Sequence, residues 1–173
     1  MFMMNSMSNL KDLLKKHYNI TDFEEPTYMQ LAFDVKKDSL LDVLAYLKSI
    51  GFGQLSILTC IDWIERNEFQ LVYILMNWDT GIHLIVRTSI DRDNPKFRTI
   101  EHIYPGVKYY ERDVHEFFGV EFEGNEDSFK HLFLELWEAD CPMKKDFDPE
   151  KFSDERYGNR EYKTNFPRKI GGQ

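Results

Sequence analysis

The sequence predicts an α+β domain: a mainly antiparallel four-stranded sheet packed with two to three helices and followed by an extended C-terminal tail. Periodic segments come in the order helix, strand, helix, strand, strand, strand, helix, which favours one sheet with helices packed against it. Residues 68–77 form a nearly continuous apolar run, typical of an inner strand that is covered on both faces. Residues 148–173 have few aliphatic side chains and several Pro and Gly interruptions, which predicts a tail.

The first part of the chain alternates between helix and strand patterns. Residues 8–18 place their leucines on one helical face, and residues 28–35 show the period of two that a half-buried strand requires. A second helix is expected over residues 39–50, where a leucine stripe ends at Gly51, because glycine accepts the left-handed conformation that closes helices. These segments supply two helices and the first strand of the sheet.

Three strands are expected in the middle of the chain, at residues 55–61, 68–77 and 82–90. A turn at Arg66 and Asn67 separates the first two. Residues 78–81 connect the last two as a hairpin, with a glycine where a positive φ is needed. Because strands joined by short turns pair side by side, this region predicts a mainly antiparallel sheet.

A further helix is expected after a Tyr-Pro-Gly turn at residues 104–106. From Val107 onward the apolar residues recur every three or four positions and so share one helical face. They are Val107, Tyr110, Val114, Phe117 and Phe118. Gly119 then ends the helix. Phe117, Phe118 and Gly119 are therefore expected to have structural roles.

The other side of this helix is charged. Glu111 and His115 lie four residues apart, as do Arg112 and Glu116, so each pair can meet on the helix surface. Two interpretations are open: a solvated face, in which a pair adds a few tenths of a kcal/mol, and a surface that recognises another protein. Asp113 lies on the edge of the apolar stripe, where burial would require a donor or a cation beside it.

Length and composition favour a single domain with an apolar core. The chain has 173 residues, of which 42% are hydrophobic and 15% aromatic, and aromatic side chains are favoured at protein interfaces. The net charge of −8 argues against nucleic acid or an anionic membrane as the partner, since both attract basic surfaces. No apolar run approaches the ~18 to 20 residues of a membrane span. We therefore expect a cytoplasmic protein that meets a membrane only through partners.

The sequence has no motif of a metal, cofactor or catalytic site. Cys60 and Cys141 are too few for an iron–sulfur cluster, and no histidine has a partner at a zinc-binding spacing. Glycine-rich phosphate loops and G-x-S-x-G motifs are also missing. We expect no metal, no cofactor and no catalysis by the isolated chain. The alternative is a free-standing acidic enzyme, whose acid and base groups would be Glu111, Asp113, His115 and Glu116.

Two segments carry a resemblance to a known family. The helix sequence ERD at residues 111–113, followed by EFFGV at 116–120, resembles the signature of the thirty-kilodalton subunit of respiratory complex I. CPMKKDF at 141–147 is similar to that family's His-Pro-Leu-Arg-Lys-Asp-Phe segment. The homologous subunit of energy-converting, membrane-bound nickel-iron hydrogenases belongs to the same family. Asp113 replaces the usual Glu, and Asn125 favours, by resemblance, a hydrogenase-type complex.

This resemblance implies a non-catalytic scaffold subunit in the soluble arm of a complex I-like membrane oxidoreductase. The complex would be an NADH:quinone oxidoreductase or an energy-converting hydrogenase. The implied partners are the large catalytic subunit, the cluster-bearing small subunit and a ferredoxin-like subunit, on the cytoplasmic face of the cell membrane. A free-standing enzyme would need groups that converge in a concave site, whereas its four candidates are spread around a helix in steps of about 100°.

The signature suggests two tasks for the helix. The residues expected to face another subunit are Glu111, Arg112, His115 and Glu116. A guanidinium such as that of Arg112 can form paired hydrogen bonds to a carboxylate across an interface. Asp113 is expected to bind a partner inside the domain and so fix the helix on the sheet.

The domain is expected to span residues 1–147 and the tail residues 148–173. Aromatic anchors in a polar tail are typical of a segment that is disordered alone or laid in extended form across partner subunits. The anchors are Phe152, Tyr157, Tyr162 and Phe166. Before the tail, Lys144 and Lys145 form a cationic step that predicts an acidic neighbour, with a solvated turn as the alternative.

Overall fold

The structure is a computed structural model that describes residues 7–158. The helices in these residues are Met7–Tyr18 (α1), Leu40–Ser49 (α2), Val107–Phe118 (α3) and Pro149–Tyr157 (α4). The strands are Phe23–Glu24 (β1), Gln30–Asp34 (β2), Gln54–Trp63 (β3), Glu68–Met76 (β4), His83–Asp91 (β5), Lys96–Arg98 (β6) and Glu121–Glu123 (β7). Every helix and strand that we expect between residues 8 and 118 is present.

The main sheet has five strands in the order β1-β2-β5-β4-β3. All its pairings are antiparallel except that of β2 with β5, which is parallel. The α+β class is confirmed, but the expected count of four strands is wrong because the two-residue β1 adds an edge. The parallel pair arises because α2 carries the chain from β2 to the far edge, and two hairpins then bring it back.

The turns between the long strands follow their sequence signals. Asn67 has a φ of 54° between β3 and β4, and Gly81 has a φ of 70° between β4 and β5. Both values are left-handed, which Asn and Gly tolerate best. The side-chain oxygen of Asn77 accepts the backbone N–H groups of Asp79 and Thr80 at 2.9 and 3.2 Å. These turns fix the register that sends alternate side chains to one face.

The buried faces of α1, α2 and α3 join one core against the sheet. Phe69, Leu71 and Tyr73 of β4 point into this core and are fully buried. Ile74 and Met76, on the other face of β4, are only half-buried. The expectation that both faces of this strand are covered therefore holds only in part, since Val72 is the buried residue of that second face. Each helix within residues 7–158 is too short or too polar to span a lipid bilayer.

A second, two-stranded sheet forms where β6 and β7 pair in parallel. Phe97 and Phe122 lie opposite each other in it, and both are buried. The pairing continues past β6, since the backbone N–H of Thr99 donates to the carbonyl of Glu123 at 2.9 Å. This small sheet brings Thr99 and the residues after β7 beside α3.

The start of the expected tail is helical. Asp148 caps α4, because its carboxylate accepts the backbone N–H groups of Glu150 and Lys151 at 3.1 and 3.0 Å. Pro149 occupies the first turn, where its missing N–H costs nothing. Extended chain is therefore the wrong expectation for residues 149–157, since this N-cap signal outweighs the shortage of aliphatic side chains.

The expected tail anchors differ in their surroundings. Phe152 packs against the rings of Trp137 and Phe147, with centroid distances of 4.6 and 5.8 Å, so it holds α4 on the rest of the chain. The Phe152 ring is therefore already packed against side chains of its own chain. Tyr157 is exposed. Outside the described residues lie Tyr162 and Phe166.

Candidate functional site

Helix α3 forms the frame of the site. Its buried residues include Val107, Val114 and Phe118, and the ring of Phe118 meets that of Phe69 edge-on at a centroid distance of 6.0 Å. The helix ends at Gly119, whose φ of 79° is left-handed. The bounds of α3 agree with the sequence pattern.

Glu111 lies inside the protein and is fully buried. Its carboxylate accepts hydrogen bonds from the Thr99 hydroxyl at 2.7 Å, the Ile100 backbone N–H at 3.1 Å and the Asn125 side-chain amide at 2.9 Å. Burial raises the pKa of this carboxyl, and the hydrogen bonds oppose that shift only in part. Glu111 thus ties α3 to the chain before it and after it, and the expected interface role is wrong.

Asp113 lacks the internal partner that the sequence leads us to expect. Its side chain is half-buried, and it makes no hydrogen bond or ion pair within residues 7–158. Burial and the nearby carboxylate of Glu116 raise its pKa. The internal role belongs to Glu111, two positions earlier and about 200° around the helix. The internal task is therefore present on α3, but it falls to Glu111 and not to Asp113.

Arg112 binds the backbone of the chain that follows β7. Its Nε donates to the carbonyl of Lys130 at 3.0 Å, and a terminal nitrogen donates to the carbonyl of His131 at 2.7 Å. A planar guanidinium can make two such charge-assisted hydrogen bonds side by side. Arg112 therefore binds a surface loop of its own chain, residues 129–136.

Glu116 holds the 129–136 loop one helical turn further on. Its carboxylate accepts the backbone N–H groups of Leu132, Phe133 and Leu134 at distances of 2.6 to 3.3 Å, and the His131 ring lies 3.2 Å away. Burial by itself would raise the pKa of this carboxyl, but these donors lower it below its ordinary value. Enclosed in this way, the Glu116 side chain is 4% exposed and acts within its own chain.

Aromatic contacts support the 129–136 loop from α3. The Nδ1 of His115 lies 2.9 Å from the carbonyl oxygen of Val120, which places a proton on Nδ1. The His115 ring meets Phe129 edge-on at a centroid distance of 4.9 Å. Phe117 packs against Phe133 at 6.1 Å. The charged and aromatic side chains of α3 therefore converge on one loop.

We expect Glu116→Ala to loosen this loop without unfolding the domain. The change removes the acceptor of three backbone N–H groups, so hydrogen–deuterium exchange at residues 132–134 should accelerate by about tenfold or more. The melting temperature should fall by only about 2 to 4 °C. Glu126→Ala, which removes an exposed carboxylate, is the control. Equal exchange in the two variants would show that Glu116 does not hold the loop.

A second buried carboxylate, Asp62, holds the segment 141–147. It accepts two hydrogen bonds from the Arg92 guanidinium, at 2.8 and 3.0 Å, and one from the Lys145 backbone N–H at 2.8 Å. Arg92 also binds Asp146 at 2.8 Å. Burial favours a higher pKa for Asp62, but its donors lower that pKa below the ordinary value. Asp62 and Arg92 are not among the residues that the motifs and spacings of the sequence predict to be functional.

The two lysines of segment 141–147 have different surroundings. The ammonium of Lys144 lies 6.0 Å from the centre of the Phe69 ring. The segment passes close to Gly119, where an added Cβ would meet the Cys141 Sγ at 3.2 Å and the Lys144 ammonium at 3.7 Å. Lys145 is exposed. Lys144 therefore packs on the domain, and the Lys145 side chain faces solvent.

The acidic-enzyme alternative requires side chains that are free to exchange protons, and hydrogen bonds within the chain occupy three of its four candidates. Glu111 is enclosed in the core, Glu116 is occupied by backbone N–H groups, and His115 is bonded to a carbonyl. A cleft of about 210 Å³ lies between α3 and the 129–136 loop. Burial raises the pKa of Cys141, which lines it, so the thiol stays protonated near neutral pH. Within residues 7–158, no His, Cys, Asp or Glu cluster could hold a metal.

Known proteins are similar to this chain in sequence. The model of the family described as respiratory-chain NADH dehydrogenase, 30 Kd subunit, matches residues 33–153. The chain is 40% identical over 119 residues to the C/D 2 subunit of NADH-quinone oxidoreductase from Aquifex aeolicus, a match that covers 66% of this chain and 20% of that protein. The C subunit of NADH-quinone oxidoreductase from Neorickettsia sennetsu is 30% identical over 121 residues, or 69% of this chain and 64% of that protein. The chain thus spans a fifth and just under two thirds of these two relatives.

The fold is also found in a solved complex. A chain of the membrane-bound sulfane sulfur reductase, an archaeal respiratory membrane complex, is 32% identical with a TM-score of 0.77, and the match covers 93% of this chain and 95% of that chain. The residues that the family model matches include α3, the 129–136 loop and segment 141–147. The chain therefore belongs to the family of the 30-kDa subunit of respiratory-chain NADH dehydrogenase.

Proposed function

We propose that the chain is a non-catalytic scaffold subunit in the soluble arm of a complex I-like membrane oxidoreductase. The observation that carries this proposal is that the signature residues bind the chain's own backbone. Arg112 and Glu116 fix the 129–136 loop, and Glu111 joins α3 to its neighbours. Side chains used in this way organise a surface, and none of them remains free to act as acid or base.

Membership of the family supports partners in one complex. We propose the large catalytic subunit, the cluster-bearing small subunit and a ferredoxin-like subunit as those partners. Two neighbouring surfaces are available to them: the 129–136 loop and segment 141–147, in which Met143 is exposed. Exposed large apolar side chains that lie close together are typical of protein interfaces. The chain would meet the cytoplasmic face of the membrane through these partners.

The proposed role is common to complexes with different substrates. Relatives of this chain are subunits of NADH-quinone oxidoreductases, and the similar solved chain comes from a sulfane sulfur reductase. A scaffold whose own side chains carry no chemistry can serve either kind of complex, because the reacting groups lie in its partners. The substrate of the assembled complex is therefore a property of the partner subunits.

Purification through a tag on this chain, from membranes in mild detergent, tests the proposal. We expect a stable complex with the three proposed partners, identified by mass spectrometry, and oxidoreductase activity that stays with the complex. The purified chain alone should have no activity. Elution of the tagged chain by itself, at its own mass of 20.7 kDa, would contradict the proposal.

We expect Lys145→Glu to weaken the complex and to leave the melting temperature of the free domain within about 1 °C. The Lys145 ammonium is exposed, and only its backbone N–H binds Asp62, so a reversed charge should act on the partner alone. Lys16→Glu in α1 reverses the charge of another exposed lysine and is the matched control. Equal recovery of partner subunits with both variants would refute a role for Lys145.

A further inference from the structure

We infer that the 129–136 loop docks into an apolar groove of a partner protein that is bordered by lysine or arginine side chains. The partner would be a subunit of the same complex, so the assignment rests on the proposed function. Three side chains of the loop are large, apolar and exposed: Phe129 at 64%, Phe133 at 66% and Leu136 at 88%. A group of this kind on one surface loop marks an interaction site.

The loop is held in shape before any partner arrives. Arg112 binds the carbonyl groups at its start, and Glu116 accepts the N–H groups at its centre. The backbone N–H of Trp137 closes its end by donating to the Leu134 carbonyl at 3.1 Å. Preorganisation lowers the entropy that a loop loses on binding. The fold therefore presents these apolar side chains to solvent in a fixed arrangement.

Leu136 points to an external contact. Its φ is 63°, in the left-handed region that is unfavourable for residues with a Cβ. Its side chain gains no compensating burial, because it is the most exposed of the loop's apolar side chains. A backbone that projects an apolar side chain into water from an unfavourable conformation is expected where another protein covers it.

Charge defines the border of the partner's groove. Three acidic side chains in and after the loop are exposed and have no ion pair within residues 7–158: Glu135, Glu138 and Asp140. Lys130, the lysine of this loop, already pairs with Asp127. A negative border around an apolar centre selects a groove rimmed by lysine or arginine. It disfavours an anionic membrane and a second copy of this acidic chain.

The double variant Phe133→Ser/Leu136→Ser tests the docking in the tagged complex. Its matched control is Trp78→Ser, because Trp78 is also a large apolar side chain and is 73% exposed. Trp78 comes just after the end of β4, whereas Phe69, which packs against α3, lies at the start of that strand. We expect the loop variant to recover its partner at least about tenfold less well than the wild type, and the control to recover it normally. Recovery at the wild-type level would overturn the inference alone. A wild-type chain that recovers no partner would overturn the proposed function as well.

A photoreactive side chain in place of Leu136 provides a second readout that does not depend on affinity. In the purified complex, we expect light to crosslink it to a peptide of another subunit that contains apolar residues flanked by lysine or arginine. The same group at Trp78 should give no such crosslink. Crosslinks from position 136 to a second copy of this chain or to lipid, or none at all in the intact complex, would overturn the assignment.

Discussion

Glu111→Ala should lower the free energy of unfolding by about 3 to 5 kcal/mol. The substitution removes the common acceptor of the Thr99 hydroxyl, the Ile100 N–H and the Asn125 amide, and it leaves these donors unpaired in a region closed to water. In a domain of this size, the loss corresponds to a fall in melting temperature of roughly 10 °C. Calorimetry of the purified variant measures it.

Two further variants make this result specific. Glu111→Gln keeps the shape of the side chain and one acceptor oxygen, so it should cost less than alanine. Glu126→Ala removes an exposed carboxylate and should change stability by no more than about 0.5 kcal/mol. If Glu111→Ala is as stable as Glu126→Ala, the buried carboxylate does not anchor α3.

The same carboxyl gives the domain a pH dependence of definite sign. The folded-state pKa of Glu111 is raised above its ordinary value of 4.5, so the folded protein binds this proton more tightly than the unfolded chain does. The stabilisation of the folded state that comes from this protonated carboxyl is fully present below pH 4.5, and it is lost as pH rises through the raised pKa. The glutamine of Glu111→Gln cannot titrate, so the free energy of unfolding of this variant should depend less on pH. Urea unfolding at several pH values measures that dependence. Identical pH slopes in the two proteins would contradict the assignment.

Asp62→Ala should destabilise the domain by about 3 kcal/mol. The substitution leaves the Arg92 guanidinium with only Asp146 and leaves the Lys145 N–H without an acceptor. Because that N–H belongs to segment 141–147, the segment should also detach more often. Hydrogen–deuterium exchange at Lys145 should therefore accelerate together with the loss of thermal stability.

A double-mutant cycle of Asp62 and Arg92 distinguishes the loss of their ion pair from the loss of a charge in general. Because both side chains act through one ion pair, the double variant with alanine at both positions should lose less stability than the sum of the single variants. Asp22→Ala, which removes an exposed carboxylate, is the control and should be nearly neutral. Strictly additive losses would show that the two residues act independently.

The sequence predicts those elements in which apolar residues repeat. The bounds of α3 agree with the expected ones, and those of β3, β4 and β5 differ by no more than two residues. The short strands β1, β6 and β7 could not be predicted, because two or three residues carry no periodic signal. The parallel pairing of β2 with β5 depends on a crossover between distant segments, which no local pattern specifies.

The two buried carboxylates do have a signal in the sequence. Glu111 lies four residues after Val107 and three before Val114, on the buried side of α3. Asp62 continues the buried alternation of β3 two residues after Cys60. A carboxylate at an apolar position of a repeat predicts a buried acceptor with donors around it. This rule, applied to the apolar repeats of β3 and α3, identifies Asp62 and Glu111 from the sequence.

The contacts of Arg112 and Glu116 could not be predicted in the same way. Their spacing of four residues suggests that they pair with each other, yet each binds the backbone of residues 130–134. Backbone N–H and carbonyl groups occur at nearly every position, so no residue pattern identifies which of them a side chain will bind. The 129–136 loop also lacks a period that would reveal its path.

Electron cryo-microscopy of the complex purified through this chain tests most directly whether the charged residues of α3 act within their own chain and present the loop to a partner. We predict that Arg112 and Glu116 keep their bonds to the loop backbone in the assembled complex, and that Phe133 and Leu136 are covered by another subunit. A map in which Arg112 or Glu116 leaves the loop to pair with a partner's side chain, while the loop faces solvent, would contradict this mechanism.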